Sequence, residues 1–215
     1  MNALEKKELE FQALQLLQSD PLKFLRKYSV VPSVAGNAHG ISEYSLALIA
    51  DVFDQNYFAP KTIQRPSSFW GRKKEGYSFK IIPDGAPGSI KFPAISIVAK
   101  PSNGPINPYR LMTNGPNIMI TPLLTGCCIV MIPDGLTWGV AHLQPAGGES
   151  GDFLRRRLAA AGVKVYGAPD YEPGKNRSTL IGVRQGQQWD FYAQIQDRRN
   201  LHVQGNVLSV KKLTA

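Results

Sequence analysis

Between residues 77 and 210, short β-prone apolar runs follow one another, each fenced by Gly, Pro, Asn or Asp, and this rhythm limits the fold more than any other feature. The runs cover residues 77–82, 95–99, 118–121, 127–132, 138–143, 163–166, 179–183, 189–196 and 201–210, with punctuation such as Pro83-Asp84-Gly85 and Asn103-Gly104-Pro105. One helical pattern interrupts them at 152–161, where Leu154, Leu158 and Ala161 share a face and Gly162 stops the helix. Strands this frequent predict an α+β protein: a mostly antiparallel sheet or β-sandwich flanked by helices, α/β/β/α-like in layering when the sheet is doubled.

The first quarter reads as helical. Leu9, Ala13, Leu16 and Leu17 line one face of an amphipathic helix over 3–18, and a second short helix is expected over 22–28, after Pro21. A third is expected from Ser42, as N-cap, to Asp54, with Leu46, Ile49, Ala50 and Phe53 on one face. The expected organisation is one domain, with an N-terminal helical layer over 1–75 and a β-rich core over 76–215. If a boundary exists, it belongs in 57–75.

The chain has 215 residues, 43% of them hydrophobic and 19% charged, which excludes a disordered or fibrous polypeptide. No apolar run approaches the roughly 18 residues of a membrane span, and the first residues lack the basic-apolar-small order of a secretion signal, so neither membrane insertion nor standard secretion is expected. Cys127 and Cys128 are adjacent and cannot easily reach ordinary disulfide geometry, so a reducing compartment is expected. With 25 Lys and Arg against 16 Asp and Glu, the net charge of +9 suits an acidic macromolecular partner. The basic residues fall in short groups, among them Arg155-Arg156-Arg157 and Lys211-Lys212, and form no nucleic-acid-binding stripe.

Asp134-Gly135 lies between two apolar β-prone runs, a strong hairpin signal. A two-residue turn centred there sets Cys127 opposite His142, Ile129 opposite Val140 and Met131 opposite Trp138 on one face, and sends Cys128 to the other. A thiol is nucleophilic as thiolate, and an imidazole beside it can take its proton and later return it to a leaving amine. Gly126 lets a substrate carbonyl approach the backbone, so the main chain at Gly126 and Cys127 is the expected source of oxyanion donors.

Thr121, then Gly126-Cys127, then Ala141-His142 with Pro145 soon after, resembles the cysteine glutamine deamidases: the chemoreceptor glutamine deamidases, the catalytic domains of the cytotoxic necrotizing factors and the Burkholderia lethal factor-type toxins. In that group a Gly-Cys opens a strand, the His lies on a following strand, and in some members a Thr six residues before the Cys joins them. The close resemblance covers residues 118–145. It implies a helix-flanked β-sandwich that hydrolyses a protein glutamine side chain to glutamate without metal or cofactor, with Cys127 as nucleophile, His142 as base and acid, and Thr121 orienting the imidazole or the substrate amide. Thr125 stands where such toxins tend to carry Ser, and about seventy N-terminal residues have no counterpart in the short chemoreceptor enzymes. That extension and the positive charge favour a bacterial toxin or effector acting on a host protein, either cytoplasmic or delivered by a route that needs no cleaved signal.

Other readings stay open on the residues alone. The same dyad runs transglutamination or peptide cleavage, and a non-catalytic basic module remains possible, with Phe69, Trp70 and Tyr77 around Arg72-Lys73-Lys74 as its stacking patch. His39 and His202 have no partners at metal-ligand spacing, and no Gly-rich segment matches a phosphate-binding loop.

Overall fold

The computed structural model describes residues 2–34, 36–48, 78–84, 88–197 and 207–214. Helix α1 (Ala3–Ser19) opens on a capping box in which Asn2 accepts from the Glu5 amide and Glu5 from the Asn2 amide. Its buried face is Glu10, Ala13, Leu14 and Leu17, at helical spacing. The Glu10 carboxylate is tolerated inside because it accepts from the Leu48 amide at 3.0 Å. Helix α2 (Pro21–Lys27) starts on the Asp20 cap with Pro21 in its first turn.

The chain then leaves the helical layer. Strands β1 (Ser29–Pro32) and β2 (Gly40–Leu48) enter a sheet, so the helix expected over 42–54 is a strand across its described part, and among the described residues of 1–75 the helices are confined to 3–27. Tyr44, Leu46 and Leu48 alternate into the core with period two, and β2 is hydrogen-bonded on both sides, to β3 (Ser78–Pro83) and β4 (Lys91–Ser96). Two ladders outweigh a helical spacing that leaned on Ile49, Ala50 and Phe53. Those three residues, and the boundary expected in 57–75, lie outside the described residues.

The remaining elements are β5 (Ala99–Pro101), β6 (Tyr109–Leu111), β7 (Ile118–Ile120), β8 (Cys128–Asp134), β9 (Thr137–Gln144), α3 (Gly151–Ala160), β10 (Lys164–Gly167), β11 (Asn176–Gln185), β12 (Gln188–Asp197) and β13 (Val207–Lys212). The run expected over 95–99 is divided: its start ends β4 in one sheet and Ala99 begins β5 in the other. The larger sheet has eight strands in the order β1-β3-β2-β4-β7-β11-β12-β13; the smaller runs β10-β8-β9-β5, with β6 also on β9. Pairing is mostly antiparallel, with β1–β3, β4–β7 and β5–β9 parallel.

Three apolar clusters give the layering. Leu17, Phe24 and Leu25 pack on Leu46, Ile81 and Ile181 between the helices and the larger sheet. Met119, Leu180 and Phe191 meet Ile129, Met131 and Val140 between the sheets. Leu154 and Leu158 cover Cys128, Val130, Ala141 and Leu143 beneath α3. The fold is α+β and mainly β, a sandwich with a helical layer on each outer side.

Candidate active site

The residues nominated from the sequence come from three elements that meet between the sheets. Along β7, Ile118 and Ile120 face the helices while Met119 faces the other sheet, so Thr121, the next residue, turns inward with Met119. Cys127 immediately precedes β8 and belongs to the same inter-sheet cluster as Ile129 and Met131, whereas Cys128 packs under α3. His142 lies on β9, inward with Val140.

The hairpin register differs from expectation. Asp134 pairs with Thr137, the turn residues are Gly135 and Leu136, and only Gly135 among them has positive φ, at 59°. A type I′ turn on Asp134-Gly135 would need positive φ at both, whereas glycine in the first central position suits a type II′ turn one residue further on. Ile129 therefore opposes His142, Met131 opposes Val140 and Pro133 opposes Trp138, and Cys127 does not directly face His142. The slip is two residues, so each side chain keeps its face. Carried one step beyond the Cys128–Leu143 pair, the ladder would set Cys127 diagonal to His142, a relation that usually spaces backbones by roughly 7–8 Å, and the thiol makes no hydrogen bond to Nε2.

His142 is 1% exposed and its Nδ1 lies 2.5 Å from the Thr121 hydroxyl. That hydroxyl donates its single proton to the Ile97 carbonyl at 2.8 Å. It can only accept from the ring, so Nδ1 carries the hydrogen and Nε2 is left with a lone pair. Among the described residues Nε2 has no hydrogen-bond partner, although it is buried. Leaving a buried acceptor unmade costs about 1–3 kcal/mol, so an Nε2 with no protein partner is free to take a proton. Burial pushes the imidazole down to about 4, so it is neutral at physiological pH.

Cys127 is 9% exposed, and burial raises its thiol above the ordinary range, with the Thr125 backbone pulling the other way. At rest the pair is a thiol and a neutral imidazole. Thr125 is exposed and Gly126 half-buried, next to the buried Cys127. Gly126 sits at φ 150°, a conformation that favours glycine. Its amide, expected to serve an oxyanion, donates instead to the Tyr171 hydroxyl at 2.7 Å, which leaves Cys127's own amide as the remaining nominee. Tyr171 was not legible as a site residue, because its contact with the loop spans 45 residues of sequence.

Outside this region, His39 accepts from the Val98 amide at 3.1 Å and serves as a loop tie. His202 and the Phe69, Trp70, Arg72-Lys73-Lys74 and Tyr77 patch lie outside the described residues. Among the described residues no cluster of three or more His, Cys, Asp or Glu side chains is placed to hold a metal, and no helix is long and apolar enough to cross a membrane. No protein-family model matches the chain. No curated protein matches it either.

The Thr121 contact leads to a test of its own. Thr121→Val removes the acceptor that fixes the Nδ1–H tautomer and should lower any His142-dependent turnover about 10²-fold, while Thr121→Ser restores most of it. Equal turnover in the valine and serine variants would remove Thr121 from the site.

Proposed function

We propose that the chain is a cysteine hydrolase of carboxamides, a protein-glutamine deamidase in which Cys127 is the nucleophile, His142 the base and acid, and Thr121 the residue that sets the imidazole. The observation that carries this reading is the Nε2 of His142, unpartnered among the described residues and held as a lone-pair nitrogen by the Thr121–Ile97 relay on the face that Cys127 also occupies.

As a glutamine side chain enters over the 122–127 loop, Nε2 takes the thiol proton and sulfur bonds to the carboxamide carbon. The tetrahedral oxyanion is met by main-chain N–H, with the Cys127 amide the candidate donor. The imidazolium returns its proton to the departing nitrogen, the C–N bond breaks and ammonia leaves a thioester. Water then attacks with Nε2 again as base, the C–S bond breaks, and glutamate and thiol are restored. The resemblance to glutamine deamidases selects glutamine among carboxamides. The charge of +9 favours an acidic protein substrate, and a bacterial effector acting on a host protein accounts for both.

The test is incubation with a panel of acidic, glutamine-rich proteins. Turnover releases ammonia and adds about 1 Da at each converted glutamine. Amine-dependent crosslinks would reassign the dyad to transglutamination and backbone cleavage to a peptidase, while absence of all three sinks the reading.

Burial also couples His142 to folding. Its pKa falls from 6.5 in the unfolded chain to about 4 in the fold, so protons bind the unfolded state more tightly in between. Stability is full above about 6.5 and declines as pH drops toward 4, with His142 alone accounting for about 3 kcal/mol. Urea unfolding between pH 7 and 4.5 should show this slope, and His142→Gln should flatten it. An unchanged slope in that variant would assign the acid sensitivity to other groups.

A further inference from the structure

Tyr171 lies in the turn-rich connection between β10 and β11 and is 1% exposed. Its hydroxyl accepts from the Gly126 amide at 2.7 Å and donates to the Cys127 carbonyl at 3.1 Å. The two groups flank the single peptide unit that leads into the thiol residue, so one side-chain oxygen pins that peptide from both ends. Burial raises the phenol well above its ordinary range, so it stays protonated and keeps the proton that the Cys127 carbonyl needs.

A loop with glycine at φ 150° has little conformational preference of its own to hold the thiol in one place. Pairing the Gly126 amide with Tyr171 also decides which main-chain donor is left for an oxyanion.

We infer that Tyr171 is a positioning residue of the cysteine site: its hydroxyl clamps the Gly126–Cys127 peptide, fixes where the Cys127 sulfur sits and reserves the Cys127 amide for the reacting carbonyl. The inference rests on the deamidase reading for its consequence in turnover, but the clamp is measurable without it.

The experiment compares Tyr171→Phe with Tyr166→Phe. Tyr166 is a fair control because it is also buried, its ring centroid is 6.0 Å from that of Tyr171, and its hydroxyl bonds to Ser178 at 2.9 Å without touching residues 126–127. Each variant loses one buried hydroxyl, so both should lose a similar amount of thermal stability. Only Tyr171→Phe should free the loop, raising the rate at which iodoacetamide labels Cys127 several-fold by peptide mapping. The same variant should lower kcat for glutamine conversion about 10²-fold with KM little changed, since misplacement of about 1 Å costs that much.

Unchanged labelling in Tyr171→Phe, or equal labelling and kcat changes in Tyr166→Phe, would overturn the clamp. Faster labelling with wild-type kcat would overturn the positioning role. If the wild-type protein makes no glutamate at all, the deamidase reading fails on that result, and the labelling comparison by itself decides whether Tyr171 holds the thiol.

Discussion

Exchanging Cys127 for serine is expected to abolish glutamine conversion, with kcat falling by about 10³-fold or more, and His142→Ala should fall as far. A serine hydroxyl is a far weaker acid than a thiol, and a single neutral imidazole without an anionic partner does not activate it well. Ammonia release at saturating substrate and the mass of the product peptide are the measurements. Cys128→Ser serves as the contrast: its thiol faces α3, burial pushes it up to about 12, and turnover should survive its replacement. A mass shift that persists in Cys127→Ser would end the mechanism. So would loss of turnover in Cys128→Ser with full activity in Cys127→Ser. A protein carrying both Cys127→Ser and His142→Ala should lose no more than Cys127→Ser alone, because residues acting on one proton do not contribute additively.

The second large effect is on folding. Gly151 is the first residue of α3, where alanine would ordinarily be favoured by up to about 1 kcal/mol on helix propensity. A Cβ at Gly151, however, would collide with the Gly126 carbonyl oxygen and lie 3.3 Å from the Ala168 side chain. The closest obstacle is backbone, so either the first turn of α3 or the 122–127 loop must move. Overpacking of this kind costs about 3 kcal/mol, which outweighs the propensity gain and reverses its sign. Gly151→Ala should therefore lower the urea midpoint strongly and reduce turnover with it. Gly104→Ala, where a Cβ meets nothing within 4 Å, should change the midpoint hardly at all. A Gly151→Ala protein as stable as the wild type would mean that the loop and helix are not in tight contact.

Much of the architecture was legible because it is written in local periodicity. The alternation of Cys127, Ile129 and Met131 against Cys128 and Val130 assigns faces whatever the register, since side chains in a strand alternate strictly. The inward face of α3 was equally local: Leu154 and Leu158 are one helical turn apart. Residues 40–48 failed for the converse reason. Leu46 also fits a helical spacing, and only the presence of β3 on one side and β4 on the other settles the conformation. The hairpin erred by one residue at its turn and hence two in its register, because a positive φ at Gly135 is compatible with either central position.

The pattern of apolar residues determined by itself that this chain makes a mostly antiparallel, helix-flanked β fold and that Cys127 and His142 share a face of their hairpin. Tertiary structure alone decided which pairs oppose, that the Ile97 carbonyl takes the Thr121 proton and so sets the imidazole tautomer, and that Tyr171 occupies the Gly126 amide. Side-chain alternation is a property of one strand, whereas a hydrogen-bond partner 24 or 45 residues away is chosen by how sheets and loops come together.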